Sequence, residues 1–228
     1  MHSGDAMLHT AEVVHWIALA VMALVYSLRL SWLFRFKSAV DRSAPGAPFR
    51  TDARRGAVYS LFNVAMPWSM ESTRRGVLFY ITFVLFHLGV VAGIGLAFVS
   101  TLAPDVLRVP AVAWTVGTLL AVACVLGVYR MGRRLLVRHM RLISTPDDYF
   151  SLAMLTVWFG LGVATQAHLA GLAGFENTVI LVSYLYLTSF FLLYVPFSKI
   201  SHYLYYPFTR IWIGRALGHR GSFPVARG

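Results

Sequence analysis

Residues 76–101, GVLFYITFVLFHLGVVAGIGLAFVST, run for a full membrane thickness without one charged side chain. A helix needs about 20 mainly apolar residues to cross the hydrocarbon core of a bilayer, so this stretch predicts a membrane-spanning helix. The chain as a whole has the same character, because 58% of its 228 residues are hydrophobic and only 13% are charged. Soluble domains carry about 25% charged residues. The composition therefore predicts an integral membrane protein and excludes a disordered chain, and the single cysteine excludes a disulfide-rich scaffold.

Four further stretches of similar character accompany this one. The five predicted spans are residues 13–34, 76–101, 109–129, 149–173 and 179–200. We expect one all-α membrane domain over residues 1–228, a bundle of five transmembrane helices. The first span is expected to be retained, because no basic segment precedes it and no small-residue cleavage site follows it.

The basic residues predict the orientation of these spans. Nineteen of the 20 lysines and arginines fall on one side of the membrane, and Arg108 alone falls on the other. The positive-inside rule places the basic side in the cytoplasm, so the N-terminus is expected outside and the C-terminus inside the inner (cytoplasmic) membrane of the cell. Topology and anionic lipid account for the net charge of +11, and nucleic-acid binding is not needed to explain it.

The predicted cytoplasmic loop, residues 35–75, is longer than a connector requires. Residues 57–70 within it, AVYSLFNVAMPWSM, place apolar side chains at helical spacing and predict an amphipathic helix. The helix has two interpretations. It is a docking platform for a cytoplasmic partner, or a membrane-surface anchor that ends at Pro67.

His87 and His202 are the informative ionisable residues, because a polar side chain at membrane depth needs a partner. His87 lies beside Gly89, Gly93 and Gly95, which leave room for a flat group, as haem ligation requires. Helix packing with the imidazole hydrogen-bonded to a neighbour is the alternative. His202 ends the fifth span, so both histidines reach one haem iron, their metal, provided that this helix continues a turn past the membrane surface.

Four basic residues are candidates for contacts with the haem propionates, although positive-inside charge facing the lipid is the simpler explanation. They are Arg74, Arg75, Lys199 and Arg210.

Three segments together resemble a known family of membrane cytochromes. They are YVPFSKISHYLYYPFTR at 194–210, LFHLG at 85–89 and RLISTPDDYFSL at 141–152. They resemble the cytochrome b subunits typified by the gamma subunit of respiratory nitrate reductase, which include cytochromes of heterodisulfide-reductase-like, sulfite-reductase-linked and hydrogenase-linked complexes. The resemblance implies a quinone-reactive cytochrome b that passes electrons between the membrane pool and a cytoplasmic iron–sulfur partner. It also implies that His87 and His202 ligate haem b.

The second haem of the nitrate reductase pattern does not carry over, since its ligands would fall near Ala97 and Tyr184. The chain holds one haem, or a second haem uses His15 and His168. The alternative for either histidine is a quinone headgroup contact, with Gln166 or Tyr184 assisting, or an interfacial hydrogen bond to lipid and water.

Three function classes follow from these residues. The first is the quinone-reactive haem b subunit of a respiratory oxidoreductase, with no catalytic residue set complete in this chain. The second is a transporter whose buried histidines form a proton path, and the third is a haem-free membrane anchor for a soluble enzyme.

Overall fold

A computed structural model describes residues 3–37, 42, 52–172, 174 and 177–222. Within these residues the chain forms helices and no strand. The nine α-helices are α1 (Ser3–Phe34), α2 (Ala53–Phe62), α3 (Glu71–Arg75), α4 (Val77–Leu102), α5 (Pro110–Leu136), α6 (Arg138–Ile143), α7 (Pro146–Leu169), α8 (Thr178–Tyr194) and α9 (His202–His219).

Five of the described helices are long and apolar enough to cross a membrane. They cover Gly4–Phe34, Val77–Leu102, Pro110–Leu136, Pro146–Leu169 and Thr178–Phe197. The all-α bundle of five membrane-spanning helices predicted from hydropathy is therefore confirmed. The orientation of its termini stays a prediction.

The boundaries differ from the predicted ones where polar residues continue a helix. Helix α5 runs seven residues past the predicted end at Tyr129 and so contains three arginines in its last two turns. Helix α7 begins earlier than predicted, because Pro146 occupies its first position and Thr145 forms a reciprocal cap with Asp148. In that cap the backbone nitrogen of Thr145 donates to Asp148 Oδ2 over 2.8 Å.

The chain divides into two compact units by its contacts. Unit 1 comprises residues 1–20 and 81–193, and unit 2 comprises residues 21–80 and 194–228. Each is described by itself, and the single domain predicted over residues 1–228 stays a prediction.

Unit 1 is built from close helix contacts at small residues. A Cβ built on Gly89 would lie 2.2 Å from the Cβ of Ala123, and one on Gly127 would lie 2.3 Å from Thr156 Oγ1. Small residues of this kind let membrane helices approach each other closely. At the other end of the unit, the fully buried Ala11 packs in a cluster with three buried residues of α8, which are Leu181, Val182 and Leu185.

Unit 2 is held together by an antiparallel pairing of α2 with α9. Gly56 faces Gly214, since a Cβ on Gly56 would lie 2.2 Å from the Gly214 oxygen. One helical turn away the backbone nitrogen of Asp52 donates to the oxygen of Gly218 over 3.2 Å. Arg210 Nε donates to the Ser60 oxygen over 3.0 Å at the other end of the pair.

The amphipathic helix predicted over residues 57–70 differs from the observed helix α2, which ends earlier and buries a different face. Helix α2 ends at Phe62, five residues before Pro67, and a short 3-10 turn follows over Asn63–Ala65. It buries a face of small residues, while the predicted apolar residues Val58 and Phe62 are exposed. The close backbone contact with α9, rather than the apolar stripe, decides which face is covered.

Candidate functional site

His87 lies in the middle of α4 with its ring oriented by the backbone. Its Nδ1 lies 2.8 Å from the oxygen of Phe83, one turn earlier in the same helix. The Phe83 ring also contacts the imidazole at a centroid distance of 4.2 Å. His87 is exposed within the protein chain, so its ring projects from the helix rather than into the packed interior.

The glycines near His87 have a different role from the predicted one. A Cβ on Gly93 would lie 2.5 Å from the indole of Trp158, and Gly89 is in similar contact with Ala123. Gly89 and Gly93 thus allow close packing of α4 against its neighbours. Gly95 differs, because a Cβ there would meet nothing within 4 Å among the described residues.

His202 is the first residue of α9, a helix separate from the fifth span. The fifth span does not continue to it as one helix, because α8 ends at Tyr194 and short 3-10 turns follow over Val195–Phe197 and Lys199–Ser201. Pro196, which has no backbone N–H, lies in the first of these turns. His202 is exposed, and its Nδ1 lies 3.0 Å from the oxygen of Lys199.

In both histidines the ring nitrogen Nδ1 faces a backbone oxygen, and this contact determines which ring nitrogen carries the lone pair. A carbonyl oxygen only accepts, so the proton of each neutral ring lies on Nδ1 where it faces Phe83 O or Lys199 O. The lone pair is then on Nε2, the nitrogen that binds a metal in this tautomer. Metal-bound histidines characteristically donate their other N–H in this way. His87, in unit 1, and His202, in unit 2, therefore each present the nitrogen donor that a haem ligand requires.

The two positions that the resemblance would give to a second ligand pair lie in the packed interior. Ala97 and Tyr184 are both fully buried. The Tyr184 hydroxyl donates to the oxygen of Gly93 over 2.5 Å, and the Trp158 ring stacks on Tyr184 at a centroid distance of 5.9 Å and an angle of 8°. Trp158 in turn donates from Nε1 to Thr188 Oγ1 over 2.8 Å. This cluster closes the space between α4, α7 and α8.

His15 and His168, the other candidate ligands, both lie in unit 1. His15 is fully buried on α1, with the rings of Trp16 and Phe98 at centroid distances of 6.0 and 5.9 Å. Neither of its ring nitrogens has a hydrogen-bond partner in the part of the chain that the structure describes. His168 is half-buried in the last turn of α7.

The four basic residues considered for propionate contacts either bond to other protein groups or lie exposed. Arg75 forms an exposed ion pair with Glu71 one turn away. Arg210 donates to Ser60 O within the α2–α9 pair. Arg74 and Lys199 are exposed. All four belong to unit 2, as does His202.

Sequence reasoning missed Arg130, which contacts the residue next to His87. Its guanidinium lies 4.5 Å from the ring centroid of Phe86, and Nη2 donates to the oxygen of Thr82 over 3.3 Å. Phe86 also contacts Phe159 edge to face at 5.2 Å. The available signal was that Arg130 follows an uncharged span directly, where a long cation can reach back along its helix.

Among the described residues, no three His, Cys, Asp or Glu side chains converge as a metal site. No family model matches the chain. A curated protein of Nitratidesulfovibrio vulgaris, described only as "Protein", is 26% identical over 204 residues, which cover 87% of this chain and 88% of that protein. The similarity thus extends over nearly the whole length of both chains.

Proposed function

We propose that this chain is the membrane cytochrome b subunit of a respiratory oxidoreductase complex. His87 and His202 ligate one haem b, and electrons pass between the quinone pool and a cytoplasmic iron–sulfur partner. The observation that carries the proposal is the shared arrangement of the two rings, each with Nδ1 against a backbone oxygen and its lone pair on Nε2. The resemblance of residues 85–89 and 194–210 to the cytochrome family supplies the haem and the partners.

The residues have separate tasks in this proposal. When bound, haem would supply the reversible one-electron chemistry. The chain's own contribution is to hold two neutral imidazoles in fixed tautomers. Two imidazole ligands leave no open coordination position, which suits electron transfer rather than oxygen chemistry. Arg130, with its charge over Phe86, adds a fixed positive charge beside the helix that carries His87.

We infer a single haem. Ala97 has no ligating atom, and the Tyr184 hydroxyl is engaged with Gly93 O. Trp158 packs against both Tyr184 and Gly93, so side chains occupy the volume beside these positions. His15 and His168 are the remaining route to a second haem, and a measured ratio of haem to protein distinguishes the two cases.

The proposed setting is the cytoplasmic membrane, with the 19 basic residues on the cytoplasmic side. The loops contain neither nucleotide-binding glycine motifs nor cysteine clusters in the sequence, so the substrate-converting chemistry belongs to the partner.

A haem-free function has one observation in its favour. The buried His15, whose two nitrogens lack a partner among the described residues, is the kind of group that a proton path through a transporter uses. A haem-free anchor for a soluble enzyme is the remaining alternative.

Absorption spectroscopy of the purified full-length chain tests the cytochrome. We expect a dithionite-reducible b-type spectrum, which His87→Ala and His202→Ala each abolish or convert to high spin. His139→Ala is the matched control, because His139 is exposed on α6 and lies in a basic segment. A colourless preparation after expression with sufficient haem, or a spectrum that both variants leave unchanged, would overturn the proposal.

A further inference from the structure

Arg130 is the first of the three arginines in the last two turns of α5, and its guanidinium contacts α4. The group lies 4.5 Å from the centre of the Phe86 ring, and Nη2 donates to the oxygen of Thr82, one turn earlier in α4, over 3.3 Å. These two contacts hold the positive charge at one place on α4. The side chain is half-buried, so water and salt screen its charge less than that of an exposed arginine.

Within the described residues, no carboxylate neutralises this charge. Arg130 takes part in none of the ion pairs of that part of the chain, whereas Arg134, one turn further along α5, lies 4.0 Å from Asp148. The only hydrogen bond of the Arg130 guanidinium to a described residue goes to a neutral backbone oxygen. A charge without a counter-ion in a partly buried position acts on any other charge that lies near it.

The Phe86 ring lies between Arg130 and His87, and all three residues belong to unit 1. The ring centres of Phe86 and His87 are 6.1 Å apart, edge to face. Together with the distance from the guanidinium to Phe86, this limits the separation of the guanidinium and the imidazole centre to about 11 Å, at which charges still interact appreciably where water is partly excluded. The charge is therefore close enough to act on a metal that His87 binds.

We propose that Arg130 raises the reduction potential of the haem b that His87 ligates. The inference rests on the proposed function, because it assigns a residue that tunes the same haem. Reduction adds one electron to the ferric iron, so the charge of the haem falls by one while no bond forms or breaks. A fixed positive charge nearby opposes the more positive ferric form and so favours the ferrous form. Arg130 acts through its charge and is not itself a ligand.

Equilibrium redox titration of the full-length, haem-loaded chain in detergent tests this role. Dithionite as reductant and ferricyanide as oxidant set the ambient potential through mediator dyes, and the absorbance of the ferrous b-type band gives the fraction of reduced haem. Arg130→Gln removes the charge. At a given ambient potential we expect the ratio of ferrous to ferric haem to fall about three- to tenfold, where tenfold corresponds to about 59 mV for one electron.

Two further variants separate the charge of Arg130 from its packing against α4. Arg130→Met is also neutral, and its thioether can pack on the Phe86 ring, so it keeps the test informative if Arg130→Gln fails to fold. It should lower the ratio of ferrous to ferric haem as far as Arg130→Gln does. Arg130→Lys keeps the positive charge and should stay within about twofold of the unsubstituted protein. If the contacts of Arg130 only packed α5 against α4, the volume of the side chain would matter and its charge would not.

Arg138→Gln is the matched control for the loss of one positive charge. Arg138 belongs to the same unit but is exposed on α6, where water and salt screen its charge. We expect this variant to change the ratio of ferrous to ferric haem by less than about twofold. A fall equal to that of Arg130→Gln would overturn the inference, because the shift would then report net charge and not the position of Arg130.

The remaining outcomes separate this inference from the cytochrome itself. An unchanged ratio in both neutral variants, with the low-spin spectrum retained, would refute the role of Arg130 and leave the cytochrome standing. Loss of haem from both neutral variants would also refute it, because Arg130 would then be needed for folding or haem binding and not for the potential. A colourless unsubstituted chain, after expression with sufficient haem, would overturn the cytochrome and this inference together.

Discussion

The Tyr184 hydroxyl donates to the backbone oxygen of Gly93 over 2.5 Å, and so joins α8 to α4 inside the membrane. This oxygen belongs to a residue whose missing side chain admits the Trp158 indole, which stacks on Tyr184. Gly93, Trp158 and Tyr184 thus pack against one another. Tyr184 is one of the two positions at which a second haem of the predicted kind would need a ligand, and its hydroxyl is instead engaged with the backbone of α4.

The purified chain should contain one haem b per polypeptide. Ala97 is fully buried and has no atom that binds iron, and the Tyr184 hydroxyl is engaged with Gly93 O. The pyridine haemochrome absorbance divided by the protein concentration from amino-acid analysis measures the ratio. A ratio near two would show instead that His15 and His168 bind a second haem, and His15→Ala would then lower it to one.

Tyr184→Phe should destabilise the protein without changing the haem spectrum. The substitution removes the Tyr184 donor from Gly93 O, which keeps its helical bond within α4, so the cost is that of one buried hydrogen bond, about 0.5–1.5 kcal/mol. Thermal unfolding in detergent, followed by circular dichroism, measures the loss. A Tyr184→Phe protein with unchanged stability would mean that this hydrogen bond contributes nothing to the packing of α4 against α8.

Gly93→Ala and Gly95→Ala should have opposite effects on stability, although the two residues lie two positions apart on α4. A Cβ at Gly93 would lie 2.5 Å from Trp158. Overpacking of this kind costs about 1–3 kcal/mol. A Cβ at Gly95 meets nothing within 4 Å in the described structure, so this variant gains helix propensity of up to about 1 kcal/mol. Equal midpoints of unfolding for the two variants would contradict the assigned packing.

Gly56→Ala should separate α2 from α9. The added methyl group would lie 2.2 Å from the Gly214 oxygen, a backbone atom that cannot turn aside. We expect a loss of about 3 kcal/mol, at the upper end for overpacking, and earlier cleavage at the arginines of α2 in limited trypsin digestion. Gly132→Ala serves as the control, since its Cβ has open space in the described structure. Identical digestion of both variants would exclude the close pairing of the two helices.

Hydropathy predicted the five spans because crossing a bilayer requires long uncharged helices, and residues 76–101 show this without any knowledge of their neighbours. It did not predict the seven further residues of α5, since arginines beyond the membrane carry no hydropathy signal. The covered face of α2 was also missed. That face depends on Gly214 and Gly218, more than 150 residues away in sequence from Gly56.

The candidate histidines could also be recognised from the sequence alone. A histidine such as His87 in an apolar span is conspicuous by its type alone. The bond from His87 Nδ1 to Phe83 O follows from helix geometry only once a rotamer is chosen. Gln166 was named from the sequence only as a possible assistant to a histidine, and its burial and its bond to Leu107 O could not be predicted, because both depend on the packing of α7 against the turn before α5.

The N-terminus should lie outside the membrane and the C-terminus in the cytoplasm, as the distribution of basic residues predicts. Asp5 and Ser222 are both exposed near the ends of the described chain, so single cysteines there report the two sides. The native Cys124, half-buried in α5, is first replaced by Ala to remove its background. A membrane-impermeant maleimide applied to intact spheroplasts should label Asp5→Cys at once and Ser222→Cys only after the membrane is permeabilised. The reverse pattern would place His202 and the 19 basic residues outside, where no cytoplasmic iron–sulfur partner could reach them.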